Sequence, residues 1–254
     1  MNLVPVYYLM FEHQNIIMKI KLYTAKERGR VNLGWLNSFH SFSFGQFYDA
    51  DKIHFGALRV LNDDSVAGGG GFGAHPHDNM EIVSIPLEGS LSHKDSTGNE
   101  GTIRKGDIQI MSAGTGIRHS EYNSSATETA RFLQIWVFPK FKNIKPVYGQ
   151  KTFDLSARKN NWQIVVSPDN SERALNINQD ARFSMVDLQG GHSIDYNMKW
   201  ENSGLYLFVI EGSIHTNGYS LARRDALGIS ETEKINIEAD DDAQLLAIEV
   251  PMLS

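Results

Sequence analysis

No cysteine occurs among the 254 residues, which excludes disulfides, a thiolate zinc site and a thiol nucleophile, and agrees with a reducing compartment. Positive charge is also in short supply. Twenty-four Lys and Arg face 30 Asp and Glu, for a net charge of −6. A chain of this balance lacks the clustered basic surface that tracks phosphates, so direct nucleic-acid binding is not expected. Long apolar runs are missing too: no stretch reaches the ~18 residues needed to span a bilayer, and a cytoplasmic protein without membrane contact is expected. The first eighteen residues are greasy, but no basic residue precedes the apolar stretch, Glu12 and His13 interrupt it, and no small-residue cleavage site follows. Residues 1–18 therefore read as a non-native or flexible extension rather than a signal peptide. Met18 is the expected physiological start, because Met18-Lys-Ile-Lys-Leu-Tyr opens the first clear alternating strand.

What is present is a composition ordinary for a packed globular protein, 41% hydrophobic and 21% charged. Most of the chain divides into short alternating or apolar runs separated by Gly, Asp and Asn, with few stretches of helical period. Strands are expected at Phe55–Leu61, Glu81–Leu87, Ser90–Lys94, Asp107–Met111, Phe132–Phe138, Gln163–Ser167, Leu205–Ile210 and Leu245–Val250. Their spacing suits a sandwich or barrel. Ile85-Pro-Leu-Glu-Gly-Ser-Leu echoes Val209-Ile-Glu-Gly-Ser-Ile, and Gln134-Ile-Trp-Val-Phe-Pro139 echoes Ala247-Ile-Glu-Val-Pro251, in the same order. A duplicated unit forming two barrels follows, with residues 19–140 as the first, 141–161 as a connection and 162–254 as the second. The second copy is shorter by roughly one hairpin.

Chemistry concentrates in the first half. In Gly71-Phe-Gly-Ala-His75-Pro-His77, the two histidines stand at i and i+2, so a strand projects both to one face. His119 and Glu121, in Gly116-Ile-Arg-His119-Ser-Glu121, repeat the spacing. Two such strands facing each other offer three imidazoles and one carboxylate, a set suited to Fe(II), Mn, Co, Ni, Cu or Zn with coordination positions left open. Glu81, four residues after His77, shares that face and is either a rival fourth ligand or a carboxylate orienting an imidazole. The glycines at 68–71 are not a phosphate loop, since no Gly-Lys-Ser/Thr follows. His93 could reach the site from the next strand, although a histidine bonded to backbone is the simpler reading. His40 sits among aromatics that pack core, and Met80, Met111, Phe132 and Trp136 either line a pocket or fill the barrel. Ser120 points away from His119, which argues against a serine nucleophile. Asp240-Asp-Asp242 reads as a solvated turn. In the second half the positions matching His75 and His77 fall near Met198 and Trp200, so that half is expected to be degenerate.

These motifs, together with Met80-Glu-Ile, Leu87-Glu-Gly and Gly106-Asp-Ile-Gln-Ile-Met-Ser-Ala-Gly-Thr-Gly-Ile-Arg-His-Ser-Glu-Tyr-Asn123, resemble the pirin family, a branch of the bicupins. The likeness runs from about Lys19 to Pro251 and is strongest in the first half. It implies an all-β protein of two tandem cupin (jelly-roll-like) β-barrels. General cupins use a glutamate after the two histidines, matched by Glu81, and a residue placed like Asn123; pirins instead take the fourth ligand two residues after the last histidine. The resemblance thus implies one divalent metal, Fe(II) by expectation, held by His75, His77, His119 and Glu121 in the N-terminal barrel. Bacterial pirins of this kind are similar to quercetin 2,3-dioxygenases, which open a flavonol with O₂ and release carbon monoxide. By that likeness Glu121 would also be the catalytic base, the partners would be a flavonol-like substrate and O₂, and the chain would be a monomer. The alternative implied is a redox-sensing, metal-dependent regulator that binds a protein partner.

Overall fold

The computed structural model describes residues 18–253, so the extension read at 1–18 lies, but for Met18, outside the described residues. The first half carries β1 (Lys19–Tyr23), β2 (Gly29–Asn32), β3 (Leu36–His40), β4 (Leu58–Val66), β5 (Gly71–His77) and β6 (Glu81–Glu88). It continues through β7 (Ser90–Asp95), β8 (Glu100–Arg104), β9 (Asp107–Ser112), β10 (Ile117–Asn123) and β11 (Ala130–Val137). Then come β12 (Val147–Thr152), β13 (Gln163–Val166), β14 (Arg182–Leu188), β15 (Ser193–Asn197) and β16 (Ser203–Glu211). The chain ends with β17 (Ile214–Thr216), β18 (Tyr219–Leu221), β19 (Ala226–Ser230), β20 (Lys234–Ala239) and β21 (Ala243–Pro251). Helix is limited, among the described residues, to three short 3₁₀ pieces.

The strands build two barrels, each from one large and one small sheet. The first pairs β12-β9-β6-β11-β4-β3-β2 with β5-β10-β7-β8, and the second pairs β1-β19-β16-β21-β14-β13 with β15-β20-β17-β18. Adding ten to the strand numbers of β9-β6-β11-β4 and β5-β10-β7-β8 reproduces the second set, so the weak sequence repeat is a complete structural one. Its best-matched point is the hairpin glycine. Gly89 and Gly212 both hold positive φ, at 68° and 82°. A Cβ on either would press within 3.0 Å or less of Ala130 Cα or Ala243 Cα, at the start of the neighbouring strand. Only glycine accepts both the left-handed turn and that approach.

Edge strands cross the boundaries read from sequence. β1, at the start of the chain, pairs with β19 of the second barrel, taking the edge that β12 takes beside β9 of the first. The segment read as a connection therefore contributes a strand to the first barrel, and the segment read as the first barrel's opening closes the second. Neither fact is local: β1 and β12 are short edge strands whose partners are decided by docking.

Alternation along each central strand splits the core. Leu133, Ile135 and Val137 join Tyr206, Phe208, Leu246 and Ile248 in one apolar cluster between the two large sheets. Each such side chain contributes roughly 1.5–3 kcal/mol on burial, so the barrels are joined by a genuine core. The intervening residues, Phe132, Gln134 and Trp136, turn into the first barrel. A charged group pins the same interface: Asp63 on β4 accepts from Arg224 at 2.7 Å and lies 3.5 Å from Arg28.

Candidate metal centre

β10 lies between β5 and β7. His119 faces His75 on one side and Asp95 on the other, while Glu121 faces His93. Directly opposed residues project to one face, so all five groups enter the barrel interior. The β5 register slips between His119 and Glu121, which sit opposite His75 and Phe72. Gly71 makes this close approach possible, since a Cβ there would stand 2.3 Å from the Tyr122 ring and 2.6 Å from the Glu121 carbonyl oxygen.

Three imidazoles converge. Ring centroids are 4.8 Å apart for His75–His77, 4.5 Å for His75–His119 and 4.8 Å for His77–His119. His75 Nδ1 donates to the Gly73 carbonyl at 2.8 Å, leaving its Nε2 bare, and that Nε2 lies 3.0 Å from His119 Nε2. Two nitrogens each about 2.1 Å from a shared ion and about 90° apart would be separated by about 3 Å, so the donors fit one divalent cation. Burial, then the neighbouring His75, depresses His77 to about 4; burial, then His75, His77 and His93, depresses His119 to about 3. Both imidazoles are therefore neutral at pH 7, the form that binds a metal.

Glu121 lies deeper inside, spaced with His119 and His93 and not with His75 and His77. Its Oε2 accepts from Gln134 Nε2 at 2.8 Å, and its Oε1 is 3.3 Å from Ser84 Oγ, which donates to Gln134 Oε1 at 2.7 Å. Burial pushes its carboxyl up to about 7, with Ser84 and Gln134 opposing and Asp64 adding to the rise. Ser84 has one hydroxyl proton and two acceptors within reach, Gln134 Oε1 and Glu121 Oε1, of which Gln134 is the nearer.

Among the described residues, the groups spaced to hold a metal are His75–His77–His119 and His93–His119–Glu121, sharing His119. Glu81 is in neither. Its Oε2 accepts from Ser112 Oγ at 2.6 Å and from the Asn178 backbone at 3.1 Å, so it ties the two halves together instead of facing an imidazole. The expected shared face with His77 does not form: the chain turns between β5 and β6, and Glu81 lies on the face of Val83 and Ile85, away from the histidines and toward a partner 97 residues away. His93 departs from expectation in the other direction. It is bonded to Asp95, not to backbone, and Tyr148 of β12 stacks on it at 4.9 Å and 17°. The His93–Asp95 pair at i, i+2 was the overlooked signal.

Above the histidines opens a cavity of about 730 Å³, lined by His75, His77, Met80, Arg118 and Trp136 among others. Trp136 meets His77 edge-on at 4.9 Å and Phe44 at 5.2 Å, and Phe44 in turn meets His40. Met111 is buried behind Met80 and Trp136, whereas Phe132 fills the far end of the barrel. Ser120 turns away toward the Lys94 carbonyl.

Between these apolar ends runs a polar row across five strands, His40–Asn62–Gln134–Ser84–Gln109, each residue opposite the next. The corresponding row of the second barrel is Ile164–Ser184–Ala247–Leu207–Leu227. There the place of the site is taken by buried Glu249, which collects the Lys199 and Trp200 backbone N–H groups and Ser203. The acidic turn is anchored as well as solvated. Asp240 accepts from His215 at 2.6 Å, with Ser220 on the other ring nitrogen, and Asp242 accepts from Gly190. These contacts pin an exposed hairpin of the second barrel.

Two tandem β-barrels, one with a histidine-lined cavity and one closed by its own side chains, define a bicupin with its candidate metal centre in the N-terminal barrel. Residues 22–137 match the pirin family model, and residues 164–250 match that of the quercetinase C-terminal cupin domain. The chain belongs to the pirin family. It is 42% identical over 236 residues to the quercetin 2,3-dioxygenase of Escherichia coli K12, covering 91% of this chain and 99% of that protein. The crystal structure of YhhW from E. coli superposes with a TM-score of 0.88 at 41% identity, over 92% of this chain and 99% of that one. A crystal structure of the bacterial pirin YhhW in complex with nickel(II) gives 0.87 at 40% identity, over 92% and 100%. No helix among the described residues is long and apolar enough to cross a membrane.

Proposed function

We propose that this protein is a cytoplasmic, metal-dependent dioxygenase that cleaves a flavonol such as quercetin with O₂. The observation that carries the reading is the convergence of His75, His77 and His119, the first two lining a cavity large enough for a flat polyphenol. Relatives named quercetin 2,3-dioxygenase, and a nickel(II) complex of one of them, support it and favour an enzyme over a regulatory partner protein. In this reading the three histidines hold one divalent ion, with Glu121 as the fourth ligand and Fe(II) as the resident metal. Nickel, manganese, cobalt, copper and zinc suit the same donors.

When bound, the ion supplies net positive charge that favours the ionised flavonol and a place to orient it. The chain supplies the remainder. Glu121, placed beside His119, would take the hydroxyl proton of the flavonol and pass it on as general base. Ser84 and Gln134 hold that carboxyl in place during the transfer. Met80 and Trp136 offer flat apolar walls that exclude water from the ring being opened, and Arg118 borders the mouth. Protein loaded with iron, manganese or nickel should consume quercetin and O₂ in equal amounts and release carbon monoxide. Absence of substrate loss with all three metals, or equal loss with His75→Ala, would refute the assignment.

A further inference from the structure

Behind the three histidines lies a fourth imidazole that this mechanism does not use. His93 is 3% exposed and stands opposite Glu121 on the neighbouring strand, with its ring centroid 5.4 Å from that of His119. Its Nε2 is 3.2 Å from Asp95 Oδ2. Asp95 is committed as an acceptor: its Oδ1 receives the Thr97 backbone and hydroxyl and the Asn99 backbone, and its Oδ2 receives the Asn99 side chain. The proton between His93 and Asp95 therefore belongs to His93 Nε2, and a neutral His93 carries a bare lone pair on Nδ1. Tyr148 stacked on the ring holds that orientation. His93 Nδ1 has no partner, and neither does His119 Nδ1, although both are buried.

The two are not bonded to each other in this structure, and one proton shared between them would satisfy both. His119 Nε2 points at His75, so an ion shared by the histidines must find that nitrogen bare. The His119 proton then sits on Nδ1 and becomes a buried donor in need of an acceptor. We propose that His93 is the positioning residue for His119, its Nδ1 accepting the His119 Nδ1–H while Asp95 fixes its own tautomer. The result is a metal–His119–His93–Asp95 relay, in which a carboxylate orients a ligand histidine through an intervening imidazole. It rests on the reading of His75, His77 and His119 as metal ligands and is independent of the substrate. This arrangement also explains what β12 contributes, because the strand read as a connection lays Tyr148 over the imidazole that aligns the ligand.

The test uses the full-length protein, ¹⁵N-labelled at histidine and loaded with zinc, which is diamagnetic. Nitrogen chemical shifts should show His119 protonated at Nδ1 and His93 protonated at Nε2; a His93 protonated at Nδ1 overturns the proposal. In parallel, nickel titration should show His93→Phe weakened by about 10–100-fold, the range typical of lost partners to ligand histidines. His93→Asn, which places an acceptor oxygen near the former Nδ1, should recover most of that loss. Equal nickel affinity in all three proteins overturns the proposal, and so does a wild type that binds neither metal, which removes the metal-centre reading as well. Metal binding with the expected tautomers but no flavonol turnover supports the His93 assignment and refutes only the dioxygenase reading.

Discussion

Gln134 donates to Glu121 at 2.8 Å from a strand position where the second barrel carries Ala247. This one difference within a duplicated frame captures how the barrels diverged. The first keeps a row of polar side chains beneath its cavity, and the second replaces most of that row with alanine and leucine.

The buried Glu121 carboxyl leads to a pH prediction for metal-free protein. Burial raises the folded-state carboxyl to about 7, above the roughly 4.3 of a free glutamate. Its contribution to stability is full below about pH 4 and is lost as pH rises through about 7. Glu121→Gln keeps hydrogen bonds to both neighbours, with its amide donating to Ser84 and its oxygen accepting from Gln134, and removes the titration. Calorimetry should find a smaller fall in Tm between pH 5 and 8.5 for Glu121→Gln than for wild type; identical falls would contradict the assignment.

The histidines act with the opposite sign. His77 and His119 are depressed to about 4 and about 3, below the roughly 6.5 of free histidine. Their contribution is present above about pH 6.5 and is lost as pH falls toward the folded values. Metal-free protein should therefore lose Tm on both sides of a maximum near pH 5–7. Replacing His119 with Gln should flatten the acidic limb relative to the alkaline one.

Metal content separates the two glutamates. Elemental analysis of protein purified without added metal should find close to one divalent ion per chain. His75→Ala should fall to background and Glu121→Gln should fall substantially. Glu81→Gln should retain the ion, because its carboxylate serves Ser112 and Asn178. Loss of metal in Glu81→Gln with retention in Glu121→Gln would reverse the order of the two residues.

Asp63 tests the interface independently of the site. Its carboxylate lies between Arg28 and Arg224, with side chains 5% and 8% exposed. Asp63→Ala leaves Arg28 buried without its partner and Arg224 with only the exposed Glu211 at 3.7 Å, and breaking a buried pair costs about 3–5 kcal/mol. Urea unfolding should register a loss of that order, while metal bound per folded chain stays unchanged.

Much of this was legible before folding. The i, i+2 pairs at His75/His77 and His119/Glu121 place their side chains on a common face as soon as strands form, and the structure brings the three histidines together. Strand positions such as Glu81–Leu87 and Asp107–Met111 were within a residue or two of those observed. Less visible was Gln134, a polar residue inside the apolar run Phe132–Val137. In hindsight its inward position on a central strand was the clue, since a buried amide needs buried partners.

The sequence by itself determined the all-β class, the duplicated frame and the histidine face, because alternation, glycine turns and i, i+2 spacing are local properties that any strand must obey. Tertiary structure decided which groups meet. It sent Glu81 to Asn178 and brought Asp95, His93 and Tyr148 up behind His119. It also exchanged the edges, so that β1 closes the second barrel and β12 the first. These are contacts between segments far apart in the chain. Register and docking of whole sheets select them, through the apolar core between the barrels, and no local pattern encodes that choice.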